Sequence, residues 1–237
     1  MQQPERRGFL SQCGFGIGAL WIGFSGGRAS AQPAPLSNRS PVAQVSGADP
    51  PASSAYAEFR SFLRAVRSAR GSFRQSVINA AGRVIETTEG RFAFVRPGRY
   101  RWEVKKPFQQ LKVADGRELY FYDRDLNQVT IRKLGDALSA TPAAILFGND
   151  SIDSDFTFVE AGSRDGLLWL EAVPRQKEAG IERIVIGLRA GLPEALEVGD
   201  AFGRLSRFSF GALERNPAID ETLFTFRTPS GADVVRQ

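Results

Sequence analysis

Two groups of carboxylates and one arginine are the side chains of this sequence best placed to do chemistry. Asp123 lies two residues from Asp125, and Asp150 is followed by Asp153 and Asp155. A pair of carboxylates suffices for glycoside hydrolysis, and a denser group can hold calcium. Both groups fall in turn-like contexts, where exposed acids are the ordinary occurrence, and the second lacks the glycine and closing glutamate of a calcium loop. Histidine is absent and Cys13 is the one cysteine. That removes serine-histidine triads and Cys/His metal sites, and, once the first residues are cleaved, thiol nucleophiles and disulfides. No catalytic residue, no metal and no cofactor is therefore expected.

Arg96 is the more telling residue. It ends the alternation Phe92-x-Phe94-x-Arg96, which places all three on one face of a strand, and Tyr100, Trp102 and Val104 share one face of the next. If the phenylalanines point inward, Arg96 does too, and a buried guanidinium needs acceptors because an unpaired buried charge costs several kcal/mol. The last carbonyls of a helix have no intrahelical partner and would serve. On these residues alone, an exposed arginine closing a strand before Pro97 is an equal alternative.

The elements that would position these residues are mostly strands. Ser53 or Ser54 can cap a helix over 55–68, with Tyr56, Phe59, Phe62, Leu63 and Val66 on one face. Strands are predicted over 71–79, 84–95, 99–105, 111–114, 118–123, 128–133, 155–160, 167–173, 181–188, 195–200 and 204–213, with a short one over 224–226. A second short helix is predicted over 142–147, with Thr141 as its cap and Pro142 at its first position. Pro97-Gly98, Asp115-Gly116 and Asn149-Asp150 are turn chemistry. So many strands with brief connections, and no crossover helices, predict one large curved antiparallel sheet.

The first residues have the features of an export signal. Arg6-Arg7 precede an apolar, glycine-rich run from Cys13 to Phe24 and a small-x-small pattern at Ala29-Ser30-Ala31, so the mature chain is expected to begin at Gln32. Arg-Arg-x-Phe-Leu fits a twin-arginine signal, and paired basic residues also occur in Sec signals. An uncleaved anchor is the weaker reading, because the run is short of the ~20 residues a bilayer span needs. Cys13 precedes the apolar run, where a lipidated cysteine would follow it. Residues 32–54 hold five of the thirteen prolines and almost no large apolar side chains, which predicts a disordered tether before a single domain over 55–237. Losing Glu5, Arg6, Arg7 and Arg28 takes the formal charge from +5 to +3. The basic residues are spread along the chain, so nucleic acid is not an expected partner.

The ordered set Gly71-Ser72-Phe73-Arg74-Gln75, Arg96-Pro97-Gly98-Arg99-Tyr100-Arg101-Trp102, Pro107-Phe108-Gln109-Gln110, Asp115-Gly116, Tyr120-Phe121-Tyr122-Asp123, Leu126-Asn127-Gln128-Val129, Thr141-Pro142-Ala143, Asp200-Ala201-Phe202-Gly203 and Pro229-Ser230-Gly231-Ala232-Asp233-Val234 resembles the LolA family of periplasmic lipoprotein carriers. The resemblance covers most of the chain after residue 55. It implies an incomplete, half-closed antiparallel β-barrel with a lid of short α-helices, and a carrier that shuttles lipoproteins from the inner to the outer membrane with their acyl chains in the barrel. It makes Arg96 a lid latch, bonded to lid backbone when the cavity is empty and released when lipid enters. Tyr100 stands at the aromatic place of the Arg-Pro-x-x-aromatic-x-Trp motif, where its hydroxyl is a slight departure if phenylalanine is usual. The implied partners are lipoprotein cargo, an inner-membrane ABC exporter of the LolCDE type and the outer-membrane receptor LolB or an equivalent, met by a monomer in the periplasm.

The candidate cavity residues are Phe92, Phe94, Tyr100, Trp102, Leu119, Phe121, Val129, Ile131, Phe158, Leu170, Phe208 and Phe210, with Phe59, Phe62 and Ile145 from the lid helices. For any one of them taken singly, ordinary core packing is the better reading; it is the whole set that argues for a cavity. The second reading is a divergent carrier of another amphiphile, such as a glycolipid or an acylated precursor. A sensor domain acting through the same barrel has no support in the sequence.

Overall fold

The computed structural model describes residues 54–135, 142–147, 152–175 and 180–237, with the backbone alone for Pro142, Ala143 and Ala144. The expected export signal, the tether up to Ser53, the Thr141 cap and the Asn149-Asp150 turn lie outside the described residues. No described helix is long and apolar enough to cross a membrane.

The chain opens with α1 (Ala55–Ala65), capped by the Ser54 hydroxyl, which accepts from the Ala57 N–H. Six strands follow in a meander: β1 (Ser68–Ile78), β2 (Val84–Val95), β3 (Arg99–Lys106), β4 (Gln110–Asp115), β5 (Glu118–Asp123) and β6 (Gln128–Lys133). After α2 (Pro142–Phe147) come β7 (Phe156–Arg164), β8 (Leu167–Pro174), β9 (Ile181–Arg189), β10 (Leu192–Asp200) and β11 (Leu205–Phe210). The chain ends with the two-residue β12 (Glu214–Arg215), a 3-10 turn over Glu221–Phe224 and β13 (Asp233–Arg236).

All of these strands join one sheet in the order β13-β6-β5-β4-β3-β2-β1-β11-β10-β9-β8-β7, with β12 beside β1. Every pairing is antiparallel except β13 on β6. The two edges, β13 and β7, do not pair, so the sheet stays open. Laid flat, twelve strands at about 4.8 Å would span roughly 50 Å. Yet one apolar cluster joins residues of β1, β2, β3, β8, β9 and β10 with both helices, which requires the sheet to curl around them. This is the incomplete barrel expected from the sequence.

Register divides the sheet into two faces. Gly71, Phe92, Trp102, Lys112, Phe121 and Thr130 stand opposite one another in successive strands, so they share the inner face, toward the helices. The next rank on the other side runs Thr88, Gln75, Phe208, Leu196, Ile186, Leu170 and Glu160. Along β6, Gln128, Thr130 and Arg132 face inward, which turns Val129 and Ile131 outward.

This corrects two expected cavity residues. Val129 and Ile131 are buried, but against Val113, Tyr120 and Tyr122 of the outer face, under the C-terminal segment. That segment crosses the outer face of β3 to β6: Arg99 pairs with Glu221, the Phe226 ring stacks on Tyr120 at 5.1 Å, and Asn127 Nδ2 donates to the Gly231 carbonyl before β13 aligns on β6. The strand predicted over 224–226 is likewise corrected. Phe224 closes a 3-10 turn capped by Asp220, and the final strand is β13. The first helix stops at Ala65, earlier than predicted, because Ser68 already pairs with Val95 in the sheet.

The face assignment has a direct check. Ile131→Ala should lower the unfolding free energy in urea by about 2–4 kcal/mol. Because Ile131 faces away from the helices, the folded variant should bind an acyl-chain probe as the parent does.

Candidate functional site

The inner face is a trough of aromatic rings. Phe73 and Trp102 stack at 3.8 Å, and Phe92 reaches both Trp102 at 5.9 Å and Phe210 at 5.7 Å. Gly90 makes the first contact possible: a Cβ there would stand 2.6 Å from the Phe73 ring and 2.0 Å from the Glu103 carbonyl. From α2, Phe147 enters this group, 4.9 Å from Tyr100, 5.3 Å from Phe94, 6.1 Å from Trp102 and 6.2 Å from Phe92. From α1, Phe59 packs 5.6 Å from Phe158 and 6.5 Å from Phe62. Fully burying one such side chain contributes about 1.5–3 kcal/mol. Burial also raises the Tyr100 pKa, so its phenol stays neutral.

Arg96 sits at one end of the trough and is 5 % exposed. Its Nε donates to the Val66 carbonyl at 3.0 Å and its Nη2 to the Leu146 carbonyl at 2.8 Å. The first acceptor caps α1 and the second lies in α2, so one guanidinium ties both helices to β2. Its carbon lies 4.9 Å from the Phe94 ring and 5.2 Å from Phe62, a favourable placement for a cation over aromatic faces. The position at the end of α1 is also the end of the helix dipole that favours positive charge. Asn216 completes the cap: its Oδ1 accepts from the N–H groups of Arg67 and Ser68, and its Nδ2 donates to the Ala65 carbonyl at 2.9 Å.

The other end of α1 is held by Glu160 on β7. Its carboxylate accepts from the Ser54 hydroxyl and from the N–H groups of Ala55 and Tyr56, both at 3.1 Å. Burial opposes its charge, but these three hydrogen bonds outweigh burial, and the Glu160 pKa lies below its ordinary value. Tyr56 and Arg60 both reach Asp153, at 2.9 Å.

Of the expected cavity residues, Phe92, Phe94, Tyr100, Trp102, Leu119, Phe158, Leu170, Phe208 and Phe210 pack in the inner cluster with Phe59, Phe62 and Ile145. Phe121 shares the inner face outside that cluster, beneath Lys112, whose Nζ lies 5.6 Å from its ring. Lys112 is half-buried, and burial lowers its pKa. The described members of the acidic groups are engaged in local hydrogen bonds and ion pairs. Asp123 accepts from Gln110 and from the N–H groups of Asp125 and Leu126, Asp153 is paired as described, and Asp150 lies outside the described residues. No cluster of three or more His, Cys, Asp or Glu able to hold a metal occurs among the described residues.

Sequence reasoning missed Phe147, Phe73, Lys112, Glu160 and Asn216. Alternation alone would turn Lys112 away from the core, between Leu111 and Val113; its register opposite Trp102 and Phe121 is what places it on the inner face. Nothing local marks Glu160 or Asn216, whose partners lie more than a hundred residues away.

Comparison with known proteins bears on this arrangement. Residues 64–227 match the family described as outer membrane lipoprotein carrier protein LolA. An outer-membrane lipoprotein carrier protein of Cupriavidus pinatubonensis is 45% identical over 183 residues, covering 76% of this chain and 86% of that protein. One of the same name from Dechloromonas aromatica is 40% identical over 178 residues, covering 75% and 86%. Among solved structures, an uncharacterized conserved protein from Thermus thermophilus superposes with a TM-score of 0.50 at 16% identity, over 75% of this chain and 95% of that one; it supports the fold alone.

The Glu160 cap carries a pH dependence. A carboxyl whose folded pKa is depressed stabilises the fold above its unfolded value and loses that contribution as pH falls through the folded one. Amide protection in the first turn of α1 should therefore fall as pH drops below the ordinary Glu value of 4.5. Hydrogen exchange should show Glu160→Gln weakly protected there at every pH.

Proposed function

The chain belongs to the LolA family of outer-membrane lipoprotein carrier proteins, and from that footing we propose that its inner trough takes up lipoprotein acyl chains when Arg96 releases the helices. The observation that carries this reading is the double hydrogen bond from Arg96 to the Val66 and Leu146 carbonyls. Those bonds and the Phe147 contacts belong to a form in which helix side chains fill the trough. Acyl chains would occupy the same apolar volume, so lipid and lid compete for one surface.

The competition has a purpose in energy. Burying a CH2 contributes about 0.8 kcal/mol, so three long acyl chains fully sequestered would exceed ~30 kcal/mol, past the ~20 kcal/mol ceiling of non-covalent complexes. A carrier that bound so tightly would never deliver. Opening the lid breaks charge-assisted hydrogen bonds of about 1.5–3 kcal/mol each and exposes the Phe147 ring, and that cost offsets part of the gain.

The candidate site is the set that faces the helices: Arg96 as latch, Phe92, Phe94, Tyr100, Trp102, Phe208 and Phe210 as trough, and Phe59, Phe62, Ile145 and Phe147 as lid. The chain acts by binding alone, as a monomer in the periplasm, after an export signal over 1–31 is removed and with 32–54 as a tether. It receives cargo from an inner-membrane ABC exporter of the LolCDE type and passes it to LolB or an equivalent receptor.

Purified mature chain, Gln32 to Gln237, incubated with lipoprotein-loaded vesicles that carry the exporter should form soluble carrier-lipoprotein complexes only when ATP is present. Failure with vesicles active toward a known carrier would move the cargo to another amphiphile. Arg96→Leu should accept lipoprotein and hold it on the order of tenfold more tightly or beyond for each hydrogen bond lost. Transfer to the receptor should then fail, and transfer at the parent rate would contradict the latch.

A further inference from the structure

At the end of the trough away from Arg96, the inner face changes character. Gln75 and Thr88 stand opposite each other on β1 and β2, 3 % and 1 % exposed, and Glu86 lies two residues from Thr88 on the same face. The Thr88 hydroxyl oxygen and Glu86 Oε1 are both buried, and neither has a hydrogen-bond partner among the described residues. A buried polar group in that state is costly, and native structures keep it where something else completes it. The rank nearer the trough is apolar, with Phe73 opposite Phe210; Phe208 stands beyond Gln75 in the Thr88 rank, and Val77 and Ser206 share the rank of Glu86. Valine in place of Thr88 would fit the same space without the cost. The polar pair is therefore a departure from the local pattern that ordinary core packing does not account for.

We infer that Thr88 and Glu86 form a subsite for a secondary amide of the acylated cargo, at the junction of acyl chain and peptide. This rests on the carrier reading above and adds where the polar end of the ligand lies. Two residues on one strand face are roughly 7 Å apart, a gap that an amide fills with one hydrogen bond at each end. The Thr88 hydroxyl donates to the amide carbonyl, and Glu86 Oε1 accepts from the amide N–H. Burial raises the Glu86 pKa. From this subsite to Arg96 is eight residues of β2, roughly 26 Å, along which the chain would lie against Phe92 and Phe94.

The test uses two probes of equal chain length, N-palmitoylglycine and its ester isostere with oxygen in place of the amide N–H. Binding is followed by tryptophan fluorescence in the mature chain, where Trp102 packs in the inner cluster and Trp169 in a separate one. The parent should bind the amide on the order of tenfold more tightly than the ester, the loss of one hydrogen bond to a charged group. Glu86→Leu should erase that preference. Thr88→Val should weaken both probes alike and raise the melting temperature, while Thr88→Ser should restore binding and so separate the hydroxyl's role from any folding defect. Equal binding of the two probes by the parent would overturn the subsite and leave the carrier reading standing. No binding of either would overturn both.

Discussion

A guanidinium taken out of water must be hydrogen-bonded, and in this fold the acceptors for Arg96 are carbonyls at the end of α1 and in α2, so one side chain joins both helices to the sheet. An eleven-residue helix and a six-residue one are too short to be stable alone in water. They depend on the trough they cover, and their apolar faces in turn bury the trough's rings. Arg96 joins the two halves of that dependence at a single point. A cation held in this way is well suited to a switch, because its bonds are strong when made and costly to leave half made. Release of α2 therefore implies that Arg96 finds other partners or reaches water.

The sheet supplies the second constraint. Strict alternation gives it an inner face of Phe, Tyr and Trp and an outer face that is partly buried as well, under the C-terminal segment. The outer layer gives the wall rigidity independent of the contents of the trough, since Val113, Val129, Ile131 and Phe224 stay buried without any help from the lid. On the proposed reading the inner layer exchanges one set of apolar contacts, those of the lid, for another, those of the cargo. A stable wall with a replaceable filling is what a carrier of hydrophobic cargo needs.

Much of this was legible in the sequence. The strand pattern, the curl of the sheet, the two helices and the shared face of Phe92, Phe94 and Arg96 followed from period and chemistry, whereas burial of Arg96 was one of two equal readings on the residues and was favoured by the family resemblance. The exceptions have definite causes. Val129 and Ile131 were expected inside because apolar residues usually mark the buried face, but here both faces are buried and only the register of β6 against Phe121 decides between them. Phe224 to Phe226 has the composition of a strand, yet Asp220 turns the chain into a 3-10 helix there. Asn216 and Glu160 brace the ends of α1 from distant parts of the chain, and no local pattern announces a long-range cap. Phe147 was part of a predicted helix, but its entry among four sheet aromatics depends on where that helix docks.

The central claim is that cargo and the α2 lid exclude each other. It is tested most directly by amide hydrogen exchange across Pro142–Phe147, with and without a diacylated lipopeptide bound. Protection in this segment should fall when the lipopeptide is present, while β9 and β10 keep theirs. Unchanged or increased protection of α2 in the loaded protein would contradict the account.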